Sequence, residues 1–348
     1  MIVGSLCFGD TKEVIENQTI IGYFVKYRFI PKLGLFSLLL IVVLCFFQYV
    51  EYSNIPISMS FYYWKSNVEI GVDWLKEYKP KHMYIKMLDI SFRDRINIVP
   101  SHISSDISVP IIPVVFLDHT VLHHHDPQYI IDIILESIPP MKYSAIQIDC
   151  DWTPTTRNAF FEVIHQLQTS YQEISATIRL HQVKYFEITG VPPVDRGILM
   201  YYNMSDVLDP ETKNYILDLE VASKYHVNFE SYPLHLDLAL PIYRQGRVFR
   251  NGRLIMLLQI NNIDYKNLRQ KSMTEPNVWE VISSHYSGGR YLYEGDVIKI
   301  DEVLTEDLHK AARVLQTMMN PTEVIFYEQQ YAYIYGRETL ERVVQIFE

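Results

Sequence analysis

Two aspartates stand two residues apart at the end of an apolar run, in the stretch AIQIDCDWTPTTR at residues 145–157. Side chains alternate between the two faces of a β-strand, so Asp149 and Asp151 project from one face and the apolar residues from the other. Carboxyl groups placed in this way can serve general acid–base chemistry. An ordinary half-exposed strand would give the same pattern, as would the inner face of a barrel whose polar interior opens into a site.

The two aspartates differ in their predicted depth. Asp151 ends the predicted strand at the rim and is the leading catalytic candidate, with a helix N-cap or a simple ion pair as the alternative. Asp149 lies about 6.6 Å deeper, where a buried charge needs a partner. Lys86 and Arg179 point inward from other predicted strands. We therefore predict that Asp149 is structural and belongs to a charge network with Lys86 and Arg179.

Other side chains at predicted strand ends complete the candidate site. A second carboxyl group is needed for acid–base cleavage, and Asp118 and Glu328 both lie at such ends. Aromatic rings there would offer flat apolar surfaces to a ligand, with ordinary packing as the alternative for each ring. The candidate ligand-binding residues are Tyr62, Trp64, Trp152, Asn203, Tyr243 and His181, and Tyr202 joins the catalytic candidates.

Eight strand patterns alternate with helical patterns along the chain, which is typical of a parallel sheet built from βα units. Eight such units in about 290 residues match a (β/α)8 TIM barrel with an insertion. The predicted strands lie at 57–64, 82–90, 111–118, 145–152, 174–181, 197–204, 236–243 and 323–329.

Helix patterns fill several of the intervals between these strands. They lie at 127–137 behind Asp126 as N-cap, and at 155–171, 210–225 and 338–347. The insertion is predicted to begin at 244–258, where Arg-Asn-Gly-Arg between two apolar stretches indicates a hairpin turn.

The composition excludes some classes of partner. The net charge is -10, and the chain has no cluster of Lys and Arg of the kind that binds nucleic acid, so we expect no nucleic-acid partner.

Cys7, Cys45 and Cys150 lie far apart and form neither a disulfide framework nor a CxxC pair.

A histidine-rich segment, DHTVLHHHDP at residues 118–127, offers imidazole and carboxylate groups to a transition metal. Consecutive residues cannot all converge on one ion, and the alternative is a solvated loop in which Asp126 caps the next helix. We predict that no metal and no cofactor is required.

An uncharged apolar run, LGLFSLLLIVVLCFFQYV, is about long enough to cross a bilayer as a helix. Lys26, Arg28 and Lys32 precede it, and positive charge stays on the cytoplasmic side. A cleavable signal peptide is the alternative, although no small-residue cleavage site follows the run. We predict a cytoplasmic tail at 1–32, a transmembrane signal anchor at 33–50 and an extracytoplasmic barrel at 51–348.

IQIDCDW, in the fourth predicted strand, resembles the DxxDxDxE motif of family 18 glycoside hydrolases, the chitinase-like barrels. LMYYN at 199–203 is similar to their sixth-strand MxYD. The match is closer to an uncharacterised group of bacterial barrels, which share an IQxDxD strand and a stretch like YPLHLDLALPIYRQGRVFRNG at 232–252. The resemblance spans residues 57–348 and implies a TIM barrel that acts on a carbohydrate.

Two positions depart from the chitinase-like pattern. Thr153 occupies the place of the glutamate that protonates the leaving oxygen, and Asn203 that of the sixth-strand aspartate. Hydrolysis would therefore have to recruit another acid. The first hypothesis is a membrane-anchored glycoside hydrolase-like barrel that acts on or binds a polysaccharide or glycoconjugate. The alternative is a non-catalytic carbohydrate-binding or scaffold component of an envelope assembly.

Overall fold

A computed structural model of the protein describes residues 56–260 and 263–348. Eight parallel strands in this part of the chain form a closed barrel, because the first strand pairs with both the last and the second. The predicted (β/α)8 barrel is therefore confirmed. Its strands are β1 Ser58–Tyr63, β3 Met83–Phe92, β6 Ile111–Leu117, β7 Ala145–Asp149, β8 Glu173–Arg179, β9 Arg196–Met200, β10 Leu236–Pro241 and β18 Glu323–Tyr327.

The strand alternation separates two cores. On β7, Ile146 and Ile148 face outward into the layer between strands and helices, whereas Gln147 and Asp149 are buried toward the interior. Tyr62 of β1 belongs to the interior cluster, while its neighbour Phe61 belongs to the outer one. The inward face is polar on β7 and β8, as the sequence predicts, whereas β6 and β9 contribute aliphatic side chains such as Val114 and Ile198 to the interior.

A buried ionic network closes the N-terminal end of the barrel. Arg196 donates to Asp237 at 2.7 Å, to Glu323 at 2.9 Å and to Glu173 at 2.6 Å. Burial alone would raise the pKa of Glu323, but the hydrogen bond from His82 and the charge of Arg196 outweigh it and hold the pKa at about 2. This end of the barrel is therefore closed by paired charges, and the opposite end is the open one.

Short helices and minor strands surround the barrel. Asp126 caps the helix that begins at Pro127, because its side chain accepts from the backbone of Gln128. The helices are α1 Val72–Tyr78, α2 Val121–His124, α3 Pro127–Ser137, α4 Arg157–Leu167, α5 Leu180–Lys184, α6 Phe186–Thr189, α7 Leu219–Ser223, α8 Thr305–Leu315, α9 Ala332–Tyr335 and α10 Arg337–Val344. The strands β4 Ile96–Pro100, β2 Asn67–Val68 and β5 His102–Ile103 lie outside the barrel.

The helix predicted at 210–225 is shorter in the structure and consists of α7 alone. The insertion binds the residues that precede α7 and holds them in a loop. The side chain of Arg247 donates to the carbonyl oxygens of Asp209 at 3.0 Å and Thr212 at 2.8 Å. Lys299 donates in the same way to the carbonyl oxygen of Pro210. The Asp209 carbonyl also accepts from the Thr212 backbone N–H at 3.2 Å, which forms an isolated turn and not a continuous helix.

The insertion follows β10 and forms a five-stranded antiparallel-paired sheet in the order β12-β11-β17-β14-β13. Its first two strands make the predicted hairpin, with Asn251 and Gly252 at positive φ in the turn. The strands are β11 Arg244–Arg250, β12 Arg253–Leu258, β13 Leu268–Gln270, β14 Val278–Val281 and β17 Val297–Glu302, with a separate hairpin of β15 His285–Ser287 and β16 Arg290–Leu292.

The predicted anchor at 33–50 and tail at 1–32 lie outside the described residues. Within 56–260 and 263–348, none of the helices has the length and apolar character needed to cross a bilayer. The anchor and the location of the barrel outside the cytoplasm stay predictions.

Candidate functional site

Asp149 at the end of β7 and Asp151 just beyond it are placed by the register of β7 with β8. Gln147 pairs with Ser175, and the same offset of 28 residues puts Asp149 beside Thr177 and Asp151 beside Arg179. Arg179 binds Asp151 through two hydrogen bonds of 2.7 Å, one from Nε and one from Nη2. Both carboxylate oxygens of Asp151 are therefore bound to a guanidinium group at the rim.

Asp149 lies deeper and has no cation in direct contact. The Thr177 hydroxyl donates to it at 2.6 Å. Burial and the neighbouring charge of Asp151 raise its pKa from an ordinary 3.8 to about 6. The Lys86 ammonium group bonds to Asp89 at 3.3 Å and not to Asp149, and the charges of Arg179 and Lys86 offset the rise in the pKa of Asp149 only in part. A β-bulge between Lys86 and Leu88 changes the side-chain alternation of β3 at this point.

A cleft of about 540 Å³ opens between the barrel rim and the insertion. We call it the insertion cleft. Its walls contain both aromatic rings and hydrogen-bonding groups, and the lining includes Tyr215, Tyr243, Tyr327, Arg179, Asn203 and Gln245. Tyr243 and Tyr327 meet edge to face, with ring centroids 5.4 Å apart. The cleft therefore combines flat apolar faces with side chains that can bind hydroxyl or amide groups.

A second cleft of about 480 Å³, the rim cleft, lies on the other side of Arg179 and Asn203, which line both. Asp151, His181 and Tyr202 line the rim cleft. His181 stands in α5 and not on the inward face of β8, because that strand ends at Arg179. Burial lowers the pKa of His181, although Asp151 opposes the effect.

Asn203 fixes the boundary between the two clefts. Its φ of 54° lies in the left-handed region, which asparagine adopts more readily than most residues. Its side-chain oxygen accepts a hydrogen bond from the Tyr243 hydroxyl, and its backbone N–H donates to Ile216 at 2.8 Å. Two predicted ligand-binding residues, Asn203 and Tyr243, are thus in contact.

Glu328 is the buried carboxyl group of the insertion cleft. Burial raises its pKa, and the charge of Lys65 and a hydrogen bond from Gln330 at 2.9 Å offset this only in part. A carboxyl group with a raised pKa keeps its proton closer to neutral pH and can act as a general acid. Of the predicted catalytic residues, Glu328 has the environment that suits this role best.

Of the remaining residues, Trp152 and Thr153 line the rim cleft, whereas Asp118 lies outside both clefts. Asp118 accepts from the backbone and hydroxyl of Thr120, both at 2.9 Å, and forms a turn. Trp152 is 2% exposed and stacks on Phe160 in the outer core, so its ring offers no open face. Thr153 bonds to the hydroxyls of other threonines at the start of α4.

Tyr62, Tyr202 and Trp64 form the aromatic floor beneath the clefts together with Tyr327. Tyr202 stacks on Tyr327 with ring centroids 5.2 Å apart and planes 15° apart. Tyr62 is buried in the barrel interior and its hydroxyl donates to Gln147 at 3.0 Å. Trp64 packs edge to face on Tyr327 at 5.7 Å. These rings shape the floor, and Tyr327 is the one that faces the insertion cleft.

Sequence reasoning missed the wall that the insertion supplies. Tyr215, Gln245 and Leu257 come from the insertion and from the segment that it binds. The sequence did contain an indication of this wall. Residues 244–246 directly follow a predicted barrel strand, which is where the active-site loops of such barrels begin. In the described ranges, 56–260 and 263–348, no group of three or more His, Cys, Asp or Glu side chains is arranged to hold a metal ion.

Solved structures with the same architecture are chitinase-like. A chitinase from Chromobacterium violaceum is 10% identical to this chain, with a TM-score of 0.51 over 84% of this chain and 99% of that chain. The GH18 chitinase ChiB from the chitin utilization locus of Flavobacterium johnsoniae is also 10% identical, with a TM-score of 0.51 over 84% of this chain and 94% of its own. The chain therefore has the fold of the chitinase-like TIM barrels, as its sequence resemblance predicts.

The sequence comparisons add nothing to this fold assignment. No protein-family model matches the sequence. A search of curated proteins gave no match.

Proposed function

We propose that this barrel binds a polysaccharide or glycoconjugate in the insertion cleft. The observation that carries the proposal is the lining of that cleft, in which the rings of Tyr243 and Tyr327 stand next to Arg179 and Asn203. A sugar has apolar C–H faces and a rim of hydroxyls, which these two kinds of side chain complement. The shared fold with chitinases is an analogy that supports the same class of ligand.

Glycoside hydrolysis is the second candidate function, and Glu328 supports it. This carboxyl group is buried in the cleft and its pKa is raised, so it can protonate a glycosidic oxygen. Asp151 would be its carboxylate partner, reached from the rim cleft on the other side of Arg179. The two residues then replace the glutamate whose position Thr153 occupies.

A non-catalytic role remains the alternative to hydrolysis. Arg179 binds Asp151 through both carboxylate oxygens, which is the arrangement of a structural ion pair as well as of a site residue. In that case the barrel binds its glycan as a component of an envelope assembly. Asp118 would have no part in either case, since it is bound within its own turn.

The proposed setting is the outer side of a membrane, with the barrel anchored by the apolar run at 33–50. The charges of Lys26, Arg28 and Lys32 before that run support this orientation. The glycan would then be one of the cell envelope or its surroundings.

A glycan panel tests the proposal directly. The full chain is screened for binding to oligosaccharides of N-acetylglucosamine, glucose and xylose and to peptidoglycan fragments, and the same mixtures are analysed for released products. We expect binding that falls about tenfold in Tyr243→Ala and Asn203→Ala. The matched control is Tyr129→Ala, an exposed tyrosine on α3 far along the chain from the cleft residues. Equal binding by parent and cleft variants would contradict the proposal.

A further inference from the structure

A row of exposed tyrosines covers one face of the β15–β16 hairpin. Tyr286 and Tyr291 are direct cross-strand partners, and Tyr293 follows two residues later. Their exposures are 76%, 38% and 51%. The opposite face of the hairpin carries Leu292, which is buried in the core of the insertion. We call these three side chains the tyrosine row.

The tyrosine row is held in a fixed arrangement. Tyr286 and Tyr291 have ring centroids 4.8 Å apart, and Tyr291 and Tyr293 have centroids 4.9 Å apart, each pair edge to face. The guanidinium group of Arg250 lies 4.3 Å from the Tyr293 centroid. Asp296 fixes that guanidinium through bonds of 2.7 and 2.9 Å and also accepts from the Tyr293 backbone at 2.8 Å. The rings are therefore ordered before any ligand arrives.

The hairpin turn packs against the wall of the insertion cleft. A Cβ atom added to Gly288 would lie 3.2 Å from the Leu258 side chain and 3.5 Å from the carbonyl oxygen of Gln259. Gln259 lines the insertion cleft. Gly288 has a φ of 57°, which residues with a side chain rarely adopt. Glycine is therefore needed both for this close approach and for the backbone conformation. The hairpin that carries the tyrosine row therefore contacts a residue of the cleft wall through its turn.

The charges of the hairpin favour an uncharged ligand. Arg250 is paired with Asp296, and Arg290 and Glu294 carry opposite formal charges. The two positive and two negative side chains sum to zero, so nothing here attracts a polyanion or an anionic membrane surface. The rings instead offer apolar faces and hydroxyl tips.

We propose that the tyrosine row binds the part of a neutral polysaccharide chain that extends out of the insertion cleft. This inference rests on the proposed function of the cleft. It makes the natural ligand a polymer, since only a chain longer than the cleft can reach Tyr286. The outer rings, Tyr286 and Tyr293, stack on sugar units, and Tyr291 supports both rings edge-on.

The test compares short and long ligands on the full chain. The probes are a ladder of N-acetylglucosamine oligosaccharides with glycol chitin as the polymer, and a cello-oligosaccharide ladder with hydroxyethyl cellulose. In the parent, affinity should rise with length beyond the span of the cleft. The Tyr286→Ala/Tyr293→Ala double variant should bind the polymer about tenfold more weakly and bind the disaccharide as the parent does.

Two control variants separate the tyrosine row from general damage. Tyr286→Phe/Tyr293→Phe keeps the rings and should retain most of the polymer affinity, and Tyr129→Ala removes an exposed tyrosine elsewhere and should change nothing. Equal polymer binding by the parent and the double alanine variant overturns this inference and leaves the proposed function standing. Absence of binding to every probe overturns both. The double alanine variant is also tested for sedimentation with phosphatidylglycerol vesicles. If it loses vesicle binding but keeps polymer binding, the tyrosine row binds a membrane surface and the inference is overturned.

Discussion

Replacing Asp149 with asparagine should stabilise the barrel at neutral pH, although the residue is buried and its side chain is hydrogen-bonded. Asp149 is 7% exposed, and its carboxylate accepts a hydrogen bond from the Thr177 hydroxyl. Asparagine has nearly the same shape, and its side-chain oxygen can accept the same bond. The substitution removes a buried negative charge that no cation contacts directly.

The size of the effect follows from the raised pKa. Burial and the charge of Asp151 move the pKa of Asp149 from 3.8 to about 6, which corresponds to about 3 kcal/mol. Between these two values the folded state binds more protons than the unfolded state, so stability decreases as pH rises. The penalty is complete above the folded pKa and absent below the unfolded one. Asp149→Asn should therefore gain up to about 3 kcal/mol at pH 7.5 and almost nothing near pH 4.

Urea denaturation at a series of pH values measures this difference. The control Asp126→Asn replaces an exposed aspartate at a helix N-cap, where asparagine caps equally well, and should change stability by less than about 0.5 kcal/mol at every pH. If Asp149→Asn is destabilised at pH 7.5, or if its gain does not shrink on acidification, the carboxylate has a stabilising partner and the reasoning is refuted.

Three further predictions concern the acid, the insertion and the topology. Glu328→Gln should lower any glycan product release by about 100-fold or more while glycan affinity stays within about threefold, and unchanged release would exclude Glu328 as the acid. Arg247→Met leaves the buried Asp301 unpaired and should destabilise the fold by about 3 to 5 kcal/mol in urea denaturation, whereas the exposed Arg253→Met should change it by less than about 0.5. A reporter fused after Glu348 should be active only outside the cytoplasm, and activity confined to the cytoplasm would contradict the anchor.

The barrel could be predicted from the sequence because strand alternation is a local property. Apolar residues of β7 face the helices and polar ones the interior, and the same holds on β8, whereas β6 has aliphatic residues on both faces. The pairing of Arg179 with Asp151 followed from the faces that they share. The ends of the strands were predicted less accurately. The alternation of apolar and polar residues continues through 150–152, but β7 ends at Asp149.

Contacts between distant segments could not be read from local patterns. The bulge in β3 that directs Lys86 to Asp89 depends on pairing with β6. Pro210 and its neighbours form a loop because Arg247, far along the chain, binds their carbonyl groups. Tyr327 became a site residue only once the closed barrel placed it beside Tyr243.

A crystal structure of the barrel unit with the best-binding oligosaccharide of the panel would test the central claim most directly. We predict sugar rings on the faces of Tyr243 and Tyr327 in the insertion cleft, with hydrogen bonds to Arg179 and Asn203. A glycan bound elsewhere on the barrel while this cleft stays empty would contradict the account.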